Sequence, residues 1–175
     1  ADTLMIGEIR DEETAQIAIR ASLSGTLVLS TVHANSATAA IASLMQLGVT
    51  SFSAGNALTG VVFQRLVHRI CKNCREPYEA NEIERKELQI EDDTPTTLYR
   101  SNGCTSCFGT GFHGRIGVYE MVKVNEEMRR VIFSSPTQGE LQAAAIKAGM
   151  IPLQTHVREL VISGEISLKE MLRTI

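Results

Sequence analysis

Leu4-Met5-Ile6-Gly7-Glu8-Ile9-Arg10-Asp11, near the start of a 175-residue chain, is the stretch that decides the fold. Three apolar residues lead into Gly-Glu, and Asp11-Glu12-Glu13-Thr14 then opens a helix. A short apolar run bounded by a turn reads as a strand buried on both faces, the kind found in parallel sheets. Ligands of open α/β sheets collect beyond the carboxyl ends of such strands. Glu8, read as standing on the strand, is sited to hold a water or a hydrated metal. A solvated residue at a strand end is the alternative.

Outward from that stretch, the next segments repeat its logic. Asp11 is a good N-cap, and Glu12 and Glu13 lie where the helix dipole favours negative charge. The helix is expected to run to about Ser24 and to stop at Gly25. Thr26-Leu27-Val28-Leu29 reads as a second buried strand, ending in the polar run Ser30-Thr31-Val32-His33-Ala34-Asn35. A helix follows, with Ala37, Ala40, Ile41 and Leu44 on one face and Gly48 as its stop. Phe52 to Thr59 is ambiguous between a short helix and a loop. Val61 to Val67 reads as another strand, heading for Cys71. Strand and helix in alternation predict an α/β fold with a parallel sheet.

The composition is that of a soluble globular protein, 43% hydrophobic and 21% charged. A net charge of −3 gives no basic field for nucleic acid. No apolar run approaches the roughly 18 residues of a membrane span, and no signal peptide is visible, so a cytosolic protein is expected. The start at Ala1, followed at once by a core strand, is expected of the rear portion of a longer protein. Glu79 to Ile90 is charged and helix-prone, and Glu91 to Pro95 reads as an acidic turn. Gly103 to Gly117 is a glycine-rich loop, and Arg115 to Val124 a strand. The tail is helical: one helix starts at Asn125, Thr137-x-x-Glu140 is a capping box, Leu153, Val157, Leu160 and Val161 form a face, and Ser167-x-x-Glu170 caps a last short helix.

Two motifs carry chemistry. Cys71-x-x-Cys74 and Cys104-x-x-Cys107 offer four sulfurs from two tight turns, a tetrahedral set suited to Zn²⁺. Four protein ligands leave no open position, so such a zinc would hold structure and not catalyse. A redox dithiol, unrelated buried cysteines and a nucleic-acid-binding ribbon are the competing readings. The second motif is His33, just past a strand and among hydroxyls, able to donate to a phosphate oxygen or simply satisfied locally. His68, His113 and His156 have no supporting context. The chain alone cannot build a standard P-loop, since it contains no Gly-Lys and Gly109-Thr110-Gly111 lies inside the cysteine loop.

Leu4 to Ala15 resembles the Walker B motif of the type II secretion and type IV pilus assembly ATPases, with Gly-Glu where many P-loop enzymes have Asp-Glu. Leu27 to Ser36 resembles their histidine box, with Val32 and Ala34 departing from its usual form. Gln64-Arg65-Leu66-Val67 with the four cysteines is similar to their tetracysteine element. The resemblance runs from end to end and implies the C-terminal half of a RecA-like P-loop ATPase domain. It divides the chain into residues 1–70 (rear half of the core), 71–119 (zinc subdomain) and 120–175 (C-terminal helical region). Carried over by position, Glu8 would orient or deprotonate the attacking water, Arg10 and Asp11 would fix its loop, and His33 would sense the γ-phosphate. Thr31 falls on the nucleotide side, and Arg65 near the nucleotide or a subunit interface. The resemblance further implies ATP and Mg²⁺ as cofactors, a homo-hexamer and an inner-membrane platform protein as partner. It implies no direct nucleic-acid contact, a cytoplasmic location at the inner membrane and a Walker A loop upstream of Ala1. The chain alone is expected to be inactive. A non-enzymatic zinc-bearing docking module is the alternative.

Overall fold

A computed structural model describes residues 2–91 and 94–175. In chain order the first elements are β1 (Thr3–Ile6), α1 (Glu12–Leu23), β2 (Leu27–Ser30), α2 (Ala37–Gln46), α3 (Ser51–Ala57) and β3 (Gly60–Ile70). Next come β4 (Arg75–Glu79), α4 (Glu82–Glu87), β5 (Thr97–Ser101) and β6 (Phe112–Lys123). The tail holds α5 (Glu126–Phe133), α6 (Gln138–Lys147), α7 (Leu153–Ile162) and α8 (Leu168–Thr174). The acidic turn predicted over 91–95 lies partly outside the described residues. No helix among the described residues is long and apolar enough to cross a membrane.

The chain forms two compact units, one of residues 1–63 and 120–151, the other of 64–119 and 152–175. In the first, β1 and β2 pair in parallel with Thr3 opposite Leu27 and Ile6 opposite Ser30, so both strands end together. Asp11 accepts from the Thr14 N–H at 2.8 Å and starts α1, which Gly25 ends at φ +97°. Ala15, Ala18 and Ile19 on α1 and Ile41 and Leu44 on α2 are buried in one core with Met128, Ile132 and Leu141. Phe52 to Thr59, ambiguous in sequence, is largely helix α3, capped by Thr50.

Two expectations about the sheet need correction. The third strand does not extend the β1–β2 pair: β3 pairs with β6. An apolar run specifies a strand but not its neighbour, and the 12-residue β6 offers the 11-residue β3 a partner of matching length. Nor are β1 and β2 buried on both faces. Met5 is 76% exposed, and Leu27 and Leu29 are each 51% exposed, because within this chain helices cover the sheet on one side only. A cavity of about 400 Å³ is lined by residues of α1, β2, α2, α3 and β3, among them Ile19, Val28, Leu44 and Val61.

In the second unit, β4 and β5 pair antiparallel, Arg75 opposite Ser101. Composition concealed β4, since Glu76, Pro77 and Glu79 are poor strand formers, but not β5, where Thr97 and Tyr99 favour a strand. Asn81 and Glu84 form a reciprocal capping box on α4. Leu98, Val157, Val161, Ile166 and Met171 make the interior. Ser167 caps α8 through the Glu170 N–H at 3.2 Å, but the Glu170 side chain does not return to the cap. It is buried, and accepts from the His68 N–H at 2.8 Å and from Arg173 at 2.9 Å.

Candidate functional site

The first site is built from two loops that leave the paired ends of β1 and β2. Glu8 stands on the loop, two residues past Ile6, and not on the strand as the sequence led us to expect. Gly7 interrupts the strand there. The loops are stitched together by the Ile9 N–H donating to Thr31 O at 2.9 Å and Thr31 Oγ1 donating to Gly7 O at 2.8 Å. Thr31 thus fixes the second loop against the first, and His33 follows two residues later.

This stitching brings three predicted residues together. Arg10 Nη2 lies 2.5 Å from Glu8 Oε2, and His33 Nε2 lies 2.7 Å from Glu8 Oε1. The His33 contact is close but not in hydrogen-bond alignment: Glu8 Oε1 is shielded from solvent and has no hydrogen-bond donor. Movement of the exposed His33 ring off this oxygen would open it to a water or a hydrated cation. The Arg10 guanidinium, opposed by partial burial and helped by His33, holds the Glu8 carboxyl below the usual carboxylate range. Reciprocally, Glu8 raises Arg10. Arg10 and His33 are 73% and 89% exposed, so the site faces solvent.

Asp11 has a different task. Its carboxylate accepts from Thr14, chiefly the backbone N–H, and this keeps its pKa low. It closes the N-terminus of α1, which leaves that helix end occupied by its own side chain. Arg65 belongs to the second unit, where its guanidinium donates to Thr174 O at 2.6 Å.

The second site lies in the second unit. The Sγ atoms of Cys71, Cys74, Cys104 and Cys107 all lie within 4.8 Å of one another. Three of the separations are 3.9 Å (Cys71–Cys104), 3.8 Å (Cys74–Cys107) and 3.7 Å (Cys104–Cys107). Four sulfurs placed tetrahedrally at about 2.3 Å from a zinc ion stand about 3.8 Å apart, whereas bonded sulfurs are about 2.05 Å apart. The spacing is that of a metal cage and not of two disulfides.

Local backbone explains the cage. Each Cys-x-x-Cys is a tight turn, with Cys74 N–H donating to Cys71 O and Cys107 N–H to Cys104 O, both at 3.3 Å. Asn73 Nδ2 donates to Ser106 Oγ at 3.0 Å and joins the two turns. Gly103 has φ +84°, and a Cβ there would meet Gly109 O at 2.5 Å, so only glycine closes the loop. The N–H groups of Cys104 and Gly111 point at Cys107 Sγ at 3.1 and 3.3 Å. Burial would push the Cys107 thiol up, but these donors outweigh it and bring it down to about 6, while burial and its sulfur neighbours push Cys74 up to about 12. Donors aimed at sulfur are what a bound thiolate requires.

One grouping escaped sequence reasoning. His68 Nδ1 lies 3.0 Å from Glu170 Oε1, and Arg173 Nη2 lies 2.8 Å from the same ring nitrogen. His68 and Glu170 are 102 residues apart, and no local pattern joins them.

The family model described as type II/IV secretion system protein matches residues 1–173. Type II secretion system protein E of Pseudomonas aeruginosa is 41% identical over 172 residues, covering 98% of this chain and 34% of that protein. Type II secretion system ATPase E of Vibrio cholerae is 39% identical with the same coverage. The type IV pilus assembly ATPase TfpB of Acinetobacter baylyi is 36% identical, covering 99% of this chain and 30% of that protein. The ATPase DotB of Legionella pneumophila has a similar fold, with TM-score 0.64 at 16% identity over 98% of this chain and 38% of that chain. The chain thus spans about a third of the length of the relatives it matches, and the RecA-like reading of its mixed α/β fold agrees with these neighbours. With its ordered motifs and a family model covering nearly all of its length, the chain belongs to the type II/IV secretion system protein family.

Proposed function

We propose that this chain is the part of a secretion or pilus-assembly ATPase that carries the water-orienting carboxylate and a structural zinc subdomain. One observation carries the first half: Glu8 is clamped between Arg10 and His33, with an oxygen shielded from solvent and lacking a donor. A carboxylate held below its usual pKa is a weak base but a good acceptor. Glu8 therefore orients the attacking water and does not deprotonate it outright, and positioning is the larger need in phosphoryl transfer. His33, exposed and in contact with Glu8, is placed to exchange that contact for a γ-phosphate oxygen. Thr31 and Asp11 hold the two loops. Arg65 acts elsewhere, toward the C-terminal tail or a subunit interface.

ATP and Mg²⁺ supply the electrophilic phosphorus and its charge neutralisation. The phosphate cradle is not in this sequence, since no Gly-Lys occurs in it, so the complete motor needs a Walker A loop from the rest of a full-length protein. In that protein we place the chain in a cytoplasmic homo-hexamer acting on an inner-membrane platform protein, without direct nucleic-acid contact. In the full-length protein, Glu8→Gln is expected to keep ATP binding and to lower turnover by about 10²- to 10³-fold. Full turnover in that variant would sink the assignment. Appreciable turnover by the isolated 175-residue chain would sink the claim that it needs the remainder.

The four clustered cysteines also fit a second reading, a zinc-bearing docking module without catalysis. A full-length protein showing no nucleotide-dependent thermal shift would establish it. For the metal, elemental analysis of the purified chain is expected to give about one zinc per chain, lost together with the order of residues 71–119 on chelation. No metal and a titratable disulfide would revive a redox dithiol.

A further inference from the structure

We propose that Glu120, on β6, is a positioning residue for His33, acting through the N-terminus of α2. The inference rests on the motor reading above and extends it to a residue outside the two stitched loops.

Glu120 is 6% exposed, an uncommon condition for a glutamate. The alternation along β6 puts it on the buried side with Val118 and Val122, while Tyr119 and Met121 face outward. Its Oε2 accepts from the Ala37 N–H at 3.0 Å. Ala37 is the first residue of α2, and its N–H is one of four that an α-helix leaves unpaired at that end. Ser36 Oγ serves the Ala39 N–H at 3.0 Å, so the helix's own cap and a carboxyl from a distant strand divide the work. A carboxyl oxygen is also the partner the helix dipole favours there.

A second, separate set of contacts holds the same turn. Thr38, fully buried, donates to Gln142 Oε1 at 2.8 Å and accepts from Gln138 Nε2 at 2.9 Å, both residues of α6. The start of α2 is therefore fixed from β6 and from α6 at once.

His33 stands between this anchor and the other one. Upstream, Thr31 ties the loop to Gly7 and Ile9. Downstream, Ala37 is tied to Glu120 four residues after His33. Release of either end lets the His33 ring leave Glu8, and displacements of about 1 Å from a productive geometry can cost on the order of 10²-fold in rate.

The test uses the full-length ATPase. Glu120→Ala is expected to lower kcat about 10-fold with KM for ATP within about twofold, and Glu120→Gln, which keeps the acceptor oxygen, to recover most of the loss. In a His33→Ala background the Glu120→Ala cost should vanish, because Glu120 acts through that residue. Undiminished cost in that background, or unchanged kcat in Glu120→Ala, overturns the proposal. Amide hydrogen exchange supplies a readout free of catalysis. Faster exchange over residues 31–40 in Glu120→Ala, with residues 71–119 unchanged, supports the anchor, and unaltered exchange there overturns it. A wild-type protein without turnover would overturn the motor reading instead, and the exchange pattern would still decide whether Glu120 holds the loop.

Discussion

The molecule contains the same trio of side chains twice. In the first unit Glu8 is flanked by Arg10 at 2.5 Å and His33 at 2.7 Å. In the second, Glu170 is flanked by Arg173 at 2.9 Å and His68 at 3.0 Å. What differs is burial and backbone support. Glu170's side chain is 4% exposed and also receives the His68 backbone N–H, whereas Glu8's is 21% exposed, its partners stand largely in solvent, and one of its oxygens lacks a donor. A carboxylate buried in a core, with the His68 N–H, the His68 ring and Arg173 all converging on its Oε1, holds structure. A clamped but under-served carboxylate at the ends of two parallel strands can still take a ligand. Residue type alone does not separate the two cases; burial and a backbone donor do.

Exchanging the two glutamates for neutral residues gives the sharpest contrast. Glu170→Ala is expected to destabilise the protein by about 2–4 kcal/mol, since it strands the His68 N–H and leaves Arg173 without its buried partner. Thermal unfolding of the purified chain measures this. Glu8→Gln should leave the melting temperature nearly unchanged while lowering turnover of the full-length protein by about 10²- to 10³-fold. If Glu8→Gln proved the more destabilising of the two, Glu8 would be a structural residue and the comparison would collapse.

The two trios were not equally legible in the sequence. Glu8 and His33 lie in runs whose local pattern places each just past a strand, while Arg10 entered through the resemblance of Leu4 to Ala15 to a Walker B motif, and the parallel pairing of β1 with β2 brings the three together. The four cysteines were legible for a similar reason, because Cys-x-x-Cys is itself a turn that aims both sulfurs one way. Asp11 and Thr137 acted as local caps, which need only three residues of context. What failed was long-range. The partner of β3 was misassigned because an apolar run fits any edge that is free. β4 went unseen because its pairing with β5, with Tyr78 opposite Leu98, stabilises Glu76, Pro77 and Glu79, residues of low strand propensity, whereas Thr97 and Tyr99 of β5 carried a local signal that was missed. His68 and Glu170 meet only after a separation of 102 residues. Glu120 had a local signal that was missed: a carboxylate in phase with Val118 and Val122 in an alternating strand is either an error of register or a buried acceptor with a partner.

The smallest expected effect is in the acid limb of stability. Burial would raise the Glu170 carboxyl, but the His68 backbone N–H, the His68 ring and Arg173 outweigh it and hold it below the ordinary value of 4.5. A carboxyl depressed on folding contributes stability that is fully present above its unfolded pKa and is lost as pH falls through the folded one. Glu170 should therefore steepen the loss of stability below about pH 4.5, and Glu170→Gln should flatten that limb in denaturant titrations run between about pH 5 and pH 3. Glu8 is depressed in the same direction, but solvent and salt screen an open pair, so Glu8→Gln should leave the limb almost as it was. Equal flattening by the two variants would mean that Glu8 is as tightly enclosed as Glu170. A carboxylate so enclosed could not be reached by the water it is proposed to orient.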